Sequence, residues 1–389
     1  MVSKDVILFS TADWDTPYWT NKQHSARQLA QKGYRVLYIE SVGLRPPNLG
    51  SGRDLSRIQR RLKRGLQGVR QVEDRIWVLS PLVVPFKHQH PLIRAFNQGL
   101  LRRTIHRFLR RKSFKSPTVW TYHPFILETL KGLTVGPLVY HCVDDLSAIP
   151  GIDANSFNRE EQRLLGNATV AFTTSPALQE KCAAHCSNVH YFPNVADLCH
   201  FNQAFDKSPL PDDLQAIPEP RVGYIGVLSD FKVDFQLLSE VAANRPHLNF
   251  VLIGEEREGQ SSPLVEHLRT LPNVHFLGYR PYEALPSYLR GVNVALLPTL
   301  INGYTRAMFP MKYFEYLAAG VPVVSTPLDF TRYHQAGLEA GSDAVSFEKA
   351  IDQQLKRGKL TANESIDFVG ENTWSARMDN MLKIVEKTL

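Results

Sequence analysis

The sequence predicts an α/β protein of two Rossmann-like, doubly wound domains that face each other across a cleft. Three observations carry that expectation. The chain has 389 residues, more than a single hydrophobic core usually organises, which favours two domains of under about 200 residues each. Short apolar runs alternate with helical patterns in two separate series, the pattern of parallel strands joined by crossover helices. Between the series, residues 206–220 are rich in Pro and Asp and read as a linker.

The first series places strands at 6–9, 36–39, 76–79, 118–122, 138–143, 170–173 and 189–192, and the second at 221–225, 250–253, 274–276, 294–297 and 321–325. The expected domains are 1–200 and 218–370, followed by a terminal segment, 371–389. Open sheets of this kind bind ligands beyond the carboxyl ends of their strands, so a shared site in the cleft is expected. The first glycine is Gly33, so the strand at 6–9 is not followed by a dinucleotide-binding glycine fingerprint, which disfavours a nicotinamide or flavin dehydrogenase. Apolar residues make up 43% and charged residues 21% of the chain, ordinary globular usage.

The start of the chain runs directly into the strand at 6–9 without a secretory signal stretch, and no apolar run reaches the roughly 18 residues of a membrane span, so a cytoplasmic location is expected. Cys142, Cys182, Cys186 and Cys199 form no C-x-x-C pair, and with His185 and His190 they match no common zinc spacing; reduced thiols and no metal site are expected.

Charge is unevenly distributed. Residues 1–150 hold 24 basic and 10 acidic side chains, and residues 53–115 alone hold 17 and 3. Leu55, Ile58, Leu62 and Leu66 recur at helical spacing among Arg53, Arg57, Arg60, Arg61, Lys63 and Arg64. Ile93, Phe96, Leu100, Ile105 and Phe108 recur likewise among Arg102, Arg103, Arg107, Arg110, Arg111 and Lys112. Both patterns fit a core-packing helix with a solvated cationic face. Equally, residues 53–66 and 91–112 fit a dock on an anionic membrane surface, the inner face of the plasma membrane, with each cation contributing about 1 kcal/mol. No nucleic-acid-binding motif accompanies them, so nucleic acid is not an expected partner.

Residues 293–325 carry the most chemistry. Pro310 suits the first turn of a helix and Gly320 its C′ position, which predicts a helix over 310–319 between two strands. Its amino end would offer unpaired amides to a diphosphate. Lys312 and Glu315, three residues apart, share a helix face. They fit an ordinary ion pair on a solvated surface, or a cation beside phosphates with a carboxylate accepting from a ribose diol.

The run P-M-K-Y-F-E-Y-L-A-A-G-V-P-V-V at 310–324 resembles the P-x-K-x-x-E-Y-x-A-x-G-x-P-V-V signature of bacterial GT-B glycosyltransferases of the retaining family 4 group. Y-F-P-N-V-A-D-L-C-H-F (191–201), R-V-G-Y-I-G-V-L (221–228), N-V-H-F-L-G-Y (273–279) and N-T-W-S-A-R-M (372–378) resemble further segments of that group in the same order. The resemblance implies a GT-B fold whose last helix returns to the first domain, with Glu315 holding the donor ribose. Lys312, Lys232, Gly226, Tyr279, Arg280, Thr305 and Pro310 would complete the donor site. It implies transfer from a nucleotide-sugar donor to a lipid-linked or glycan acceptor with retention of configuration, in cell-surface polysaccharide assembly. No cofactor beyond the co-substrate and no metal is implied.

Two positions depart from the pattern. The group commonly has a glutamate eight residues before Glu315, where this chain has Ala307, and an arginine where it has Val227. Residues 11–24 replace a glycine-rich loop with Asp13, Trp14, Asp15, Trp19, Asn21 and His24, side chains suited either to gripping an acceptor sugar or to a capped turn over core aromatics. Asp144 and Asp145 follow the strand at 138–143. The group often has a histidine near this point, where alignment places Val143. Asp144 is the expected acceptor-side carboxylate, Asp145 an acceptor contact, and His141 and His123 further candidates. The proton of the acceptor hydroxyl would pass to Asp144 or to the departing phosphate. A nucleotide-sugar epimerase of the same fold, or a non-catalytic binding protein for sugar nucleotides or nucleic acid, are the alternative readings.

Overall fold

The computed structural model describes residues 3–16, 18–41, 65, 68–82, 91–256 and 262–388. The basic segment 53–66 therefore lies outside the described residues, apart from Gly65. The chain divides into two compact units, one of Met1–Phe192 with Met378–Leu389, the other of Pro193–Arg377.

In the first unit, β1 (Asp5–Phe9), β2 (Arg35–Ile39), β3 (Val69–Glu73), β4 (Ile76–Leu79), β5 (Thr118–Thr121), β6 (Leu138–Cys142), β7 (Val170–Thr173) and β8 (Val189–Tyr191) form one sheet in the order β3-β4-β2-β1-β5-β6-β7-β8. Runs such as Val-Ile-Leu-Phe in β1 are apolar without alternation because helices cover both faces of the sheet, and β1 and β6 are buried along their whole length. The order runs outward from β1, returns, and resumes at β5, so the topological switch point lies between β1 and β5. All neighbours are parallel except β3, which pairs antiparallel with β4 at the edge. β3 was not among the expected strands: its Val-Arg-Gln-Val-Glu sequence is polar and half-exposed, as an edge strand permits.

The crossover helices used below are α1 (Asn21–Gln31), α2 (Pro91–Arg111), α3 (Ala154–Leu165) and α4 (Pro176–Ala183). Asp153 caps α3 by accepting from the Ser156 amide, and Ser175 caps α4, which has Pro176 at its first position. α2 buries Leu101, Ile105, Phe108 and Leu109, while Leu92 is 75% and Phe96 60% exposed. The expected stripe is thus split: Ile105 and Phe108 serve the unit's own core, and only the first half of the helix leaves large apolar groups in water. Among the described residues no helix is long and apolar enough to cross a membrane.

The second unit is a sheet of β9 (Arg221–Ile225), β10 (Asn249–Ile253), β11 (Val274–Gly278), β12 (Val294–Leu297), β13 (Val323–Ser325) and β14 (Leu338–Ala340), all parallel in the order β11-β10-β9-β12-β13-β14. The reversal falls between β9 and β12. Two apolar layers sandwich the sheet. One contains Val222, Phe250 and Leu296 with Leu238 and Val241 of α5 (Phe235–Asn244). The other contains Ile225, Val251 and Ala295 with Tyr313, Tyr316 and Leu317. Residues 206–220 belong to this unit, with Leu214 and Ile217 buried in its core. At the carboxyl ends of β9 and β10 the backbones come so close that a Cβ on Gly254, whose φ is +147°, would run into the Gly226 carbonyl.

The helix expected over 310–319 is α6 (Lys312–Ala318), with Met311 as N-cap. Pro310 lies just before it instead of in its first turn. Gly320 does occupy the C′ position, at φ +74°, where a Cβ would also strike the Phe205 ring. The last helix, α7 (Trp374–Lys387), carries Met378, Met381 and Val385 into the core of the first unit, where Lys32 pairs with Asp379 at 2.7 Å.

Candidate functional site

Six of the expected donor residues gather at the switch point of the second unit. The segment after β9 and the segment after β12 are stitched together there. The Leu300 amide donates to the Lys232 carbonyl at 2.9 Å, and Asn302 Nδ2 donates to the Phe231 carbonyl at 2.8 Å. Phe231 and Tyr304 meet with ring centroids 5.4 Å apart, and the Lys232 ammonium lies over the Tyr304 ring at 5.1 Å. Among the described residues no carboxylate pairs with Lys232, so its charge is available to an anion.

Thr305 and Asn302 build the β12 segment. The buried Thr305 hydroxyl donates to the Leu300 carbonyl and accepts from the Asn302 amide at 3.0 Å. Asn302 Oδ1 in turn accepts from the Tyr304 and Thr305 amides at 3.0 Å each. Thr305 is thus occupied in shaping the loop. Asn302 is as important to that loop, and the sequence signal for it was its side-chain capacity to close an Asx turn. Pro310 is buried beside Phe309, whose carbonyl accepts from Asn194 Nδ2 at 2.6 Å.

α6 is docked onto the end of β9 by Tyr316, whose hydroxyl accepts from the Ile225 amide at 3.0 Å. This seating puts the preceding residue, Glu315, where only 4% of its side chain is exposed, with Lys312 Nζ 2.7 Å from its Oε2. The pair is therefore no ordinary surface ion pair. Burying a carboxylate is costly unless it is paired, and Lys312, 30% exposed, provides that charge while its ammonium keeps contact with solvent. No described residue donates to the other oxygen, Oε1, leaving an acceptor free for a hydroxyl. Gly226 completes the group: its amide donates to the Ile253 carbonyl at 2.9 Å, and a Cβ would stand 2.7 Å from the Tyr224 hydroxyl.

Tyr279 and Arg280 stand elsewhere, beyond β11, at the edge of the sheet. Arg280 forms an ion pair with Asp213, donates from Nε to the Tyr288 hydroxyl at 2.5 Å, and from Nη1 to the Tyr279 carbonyl at 2.9 Å. The guanidinium thus ties β11 to the one-turn helix at Asp212–Gln215.

In the first unit, the segments after β1 and β5 flank the other switch point. Trp14 is a core residue, a correction to its expected acceptor role: it packs against Trp19 and Tyr38 at 5.2 Å each, and its amide donates to Glu40 Oε1 at 2.8 Å. Glu40, buried at the end of β2, also accepts from Ser80 and was not anticipated. Asp15 pairs with Arg70 of β3. The Asp13 carbonyl accepts from Gln23 Nε2 at 2.9 Å, and Asn21 is buried at the start of α1, its carbonyl accepting from the Tyr122 hydroxyl at 3.1 Å.

Just beyond β5, His123 is buried, its Nδ1 accepting from the Phe125 amide at 3.3 Å. Burial lowers its pKa to about 4, so the imidazole is neutral at physiological pH. His141 is corrected from catalytic candidate to core residue. It lies inside β6, fully buried, stacked on Tyr122 at 4.9 Å and receiving the Trp120 indole N–H at 3.4 Å. Asp145 is likewise engaged, its Oδ1 accepting from Lys181 Nζ at 2.9 Å and Ser147 Oγ at 2.6 Å. Asp144, half-buried at the carboxyl end of β6, has no hydrogen-bond or ion-pair partner for its carboxylate among the described residues.

Two doubly wound units in this order are the GT-B fold. A sucrose-phosphate synthase from Thermosynechococcus elongatus superposes with a TM-score of 0.72 at 16% identity, over 98% of each chain. Anabaena HepE in complex with UDP superposes with a TM-score of 0.66 at 14% identity, over 98% of this chain and 99% of that one. Residues 219–357 match the family model described as glycosyl transferases group 1, so the second unit carries a group 1 glycosyl transferase domain. A Bacillus subtilis protein, TuaH, named as a putative teichuronic acid biosynthesis glycosyltransferase, is 32% identical over 154 residues. That match spans 40% of this chain and 38% of TuaH.

Proposed function

We propose that the protein is a glycosyltransferase that moves a sugar from a nucleotide-sugar donor to a lipid-linked or polysaccharide acceptor, with retention of configuration, in cell-surface glycan assembly. The observation that carries this reading is the Lys312–Glu315 pair at the switch point of the group 1 domain. There a buried carboxylate has one oxygen held by lysine and the other offered to a ligand. The ribose hydroxyls of the donor donate to Glu315 Oε1. Lys232 and Lys312 take the diphosphate. The HepE structure with UDP supports a uridine nucleotide as the first donor to test, and the name of TuaH supports an acidic cell-surface polymer as the product.

As the bond between the sugar and the diphosphate breaks, negative charge builds on the leaving group. Two ammonium groups already held in place stabilise it without a metal ion, because they need no reorganisation as the charge develops. Asp144 or the departing phosphate accepts the proton from the acceptor hydroxyl.

The same reading places the protein at the inner face of the plasma membrane. The exposed Leu92 and Phe96 enter the lipid interface, and the open arginine face of Arg103, Arg107, Arg110 and Arg111 meets anionic headgroups. Salt-sensitive sedimentation with anionic vesicles, absent with neutral ones, is the expected result; equal binding to both removes the electrostatic dock.

A thermal-shift panel of UDP-, GDP-, TDP- and CMP-sugars tests the donor site, since a ligand at about 100 times its Kd adds roughly 2.7 kcal/mol. One sugar nucleotide should stabilise the wild type and lose its effect in Glu315→Ala and Lys312→Ala. Equal stabilisation of all three proteins would overturn the assignment.

A further inference from the structure

The carboxyl end of β6 is held by a network that the proposed chemistry does not otherwise use. β6 delivers Tyr140 into the interior, where its hydroxyl donates to Glu161 Oε1 at 2.5 Å. Glu161 lies on α3 with 3% of its side chain exposed, so its charge needs a partner. Lys181 of α4 provides one, with Nζ 2.8 Å from Glu161 Oε2 and 2.9 Å from Asp145 Oδ1. That same Asp145 oxygen accepts from Ser147 Oγ at 2.6 Å and from the Ser147 amide at 3.2 Å, closing the turn at Leu146–Ala148. From the side of β7, the Thr174 hydroxyl donates to the Val143 carbonyl at 2.8 Å. Residues 143, 145 and 147 are each tied down, and Asp144 stands among them with its carboxylate unpaired among the described residues.

We propose that Lys181 is a positioning residue: its ammonium, shared between Glu161 and Asp145, fixes the turn after β6 so that the Asp144 carboxylate is presented in one conformation. The inference rests on the reading of Asp144 as the acceptor-side carboxylate. A cation is required at this point because two carboxylates converge on a single nitrogen. An apolar side chain of similar length would leave them facing each other, one of them buried, and Asp145, the more exposed, would swing away and take the turn with it. Lys181 also lines a cavity of about 180 Å³ with Asn158, Gln162, Leu165 and His185. Truncating the lysine therefore leaves a slot into which a small ammonium ion fits.

Amide hydrogen exchange on the full-length protein tests this without knowledge of the substrates. In Lys181→Ala, amides 143–148 should exchange on the order of tenfold faster, while those within β6 and β7 stay as in the wild type. Lys181→Arg should retain the slow exchange. Ethylammonium chloride should restore it in Lys181→Ala where sodium chloride of equal ionic strength does not. Unchanged exchange at 143–148, faster exchange spread through the whole unit, or failure of both the arginine and the ethylammonium ion to restore protection would each overturn the proposal. Once the transfer reaction is in hand, kcat in Lys181→Ala should fall by about 100-fold at an unchanged donor KM. Asp144→Asn separates the two readings. If it transfers sugar normally the carboxylate assignment fails, whereas the exchange result still decides whether Lys181 fixes the turn.

Discussion

Lys312→Met is expected to destabilise the second unit more than Glu315→Gln does, although the two side chains share one bond. The asymmetry follows from their burial, 4% of the side chain exposed for Glu315 against 30% for Lys312. Removing the lysine leaves a buried carboxylate without its cation. In a fully buried pair that costs about 3–5 kcal/mol, and partial solvent access on the lysine side reduces it to roughly 1–3 kcal/mol. Glu315→Gln keeps an amide oxygen for Lys312 to donate to and frees the ammonium to turn towards water, a cost of about 1 kcal/mol or less. A domain of this size loses about 2–4 °C of Tm per kcal/mol. Differential scanning calorimetry should therefore place Lys312→Met some 2–12 °C below the wild type and Glu315→Gln within about 4 °C of it. Donor binding is where Glu315→Gln should be severe, since a hydrogen bond to a charged acceptor is worth about 1.5–3 kcal/mol. A glutamine variant less stable than the methionine variant, or a methionine variant that melts with the wild type, would refute the assignment of Glu315 as the buried, dependent partner.

The buried His123 makes the first unit acid-sensitive. Its folded pKa of about 4 lies below the unfolded value of about 6.5, so between these the unfolded chain binds the extra proton and stability falls as pH drops from 6.5 towards 4. The loss approaches about 3 kcal/mol, and urea unfolding of His123→Phe across that range should show a correspondingly weaker pH dependence; an identical dependence would count against it. Thr305→Val removes the hydroxyl that serves both the Leu300 carbonyl and the Asn302 amide, and should lower stability by about 1–3 kcal/mol. It should also weaken donor binding through the Lys232 platform, which calorimetric titration would detect.

The fold was legible because it is written in apolar runs. Strands buried on both faces, such as Asp5–Phe9 after its first residue and Val294–Leu297, are continuous apolar runs, so their positions stand out. β3 and β14 did not, since edge strands bury little and their sequences, Val-Arg-Gln-Val-Glu and Leu-Glu-Ala, follow no core pattern. The grouping of Lys312, Glu315 and Gly226 was legible because residue type and backbone position coincide there, Tyr316 seating the pair beside the end of β9. Legibility failed where the decisive fact is what a side chain is already bonded to. Arg280 and Asp145 have the right charge and lie near strand ends, yet both are committed to ion pairs with residues distant in sequence, Asp213 and Lys181. His141 lies within β6, one residue before its end at Cys142, and is fully buried, which in a parallel sheet is the difference between the rim and the core.

The two departures from the family 4 pattern also have a local explanation. Where the pattern has an arginine, Val227 contributes its backbone: its carbonyl accepts from the Tyr224 hydroxyl at 3.1 Å, the same hydroxyl that crowds Gly226. The turn after β9 is therefore held by a tyrosine from its own strand. In the proposed donor site the cationic role would fall to Lys232, which lies over the Tyr304 ring beside the Asn302–Phe231 hydrogen bond across the switch point. An arginine close to the strand end can act from a rigid position by itself, whereas a lysine farther along the loop needs a support, and the β12 segment provides it. The glutamate missing at Ala307 belongs to that same segment. A loop that has become the support for Lys232, closed on itself by Thr305 and Asn302, has its polar capacity directed inward. Positions 307 and 227 thus lie on the two segments that the Leu300–Lys232 and Asn302–Phe231 hydrogen bonds stitch together, with Lys232 held over Tyr304.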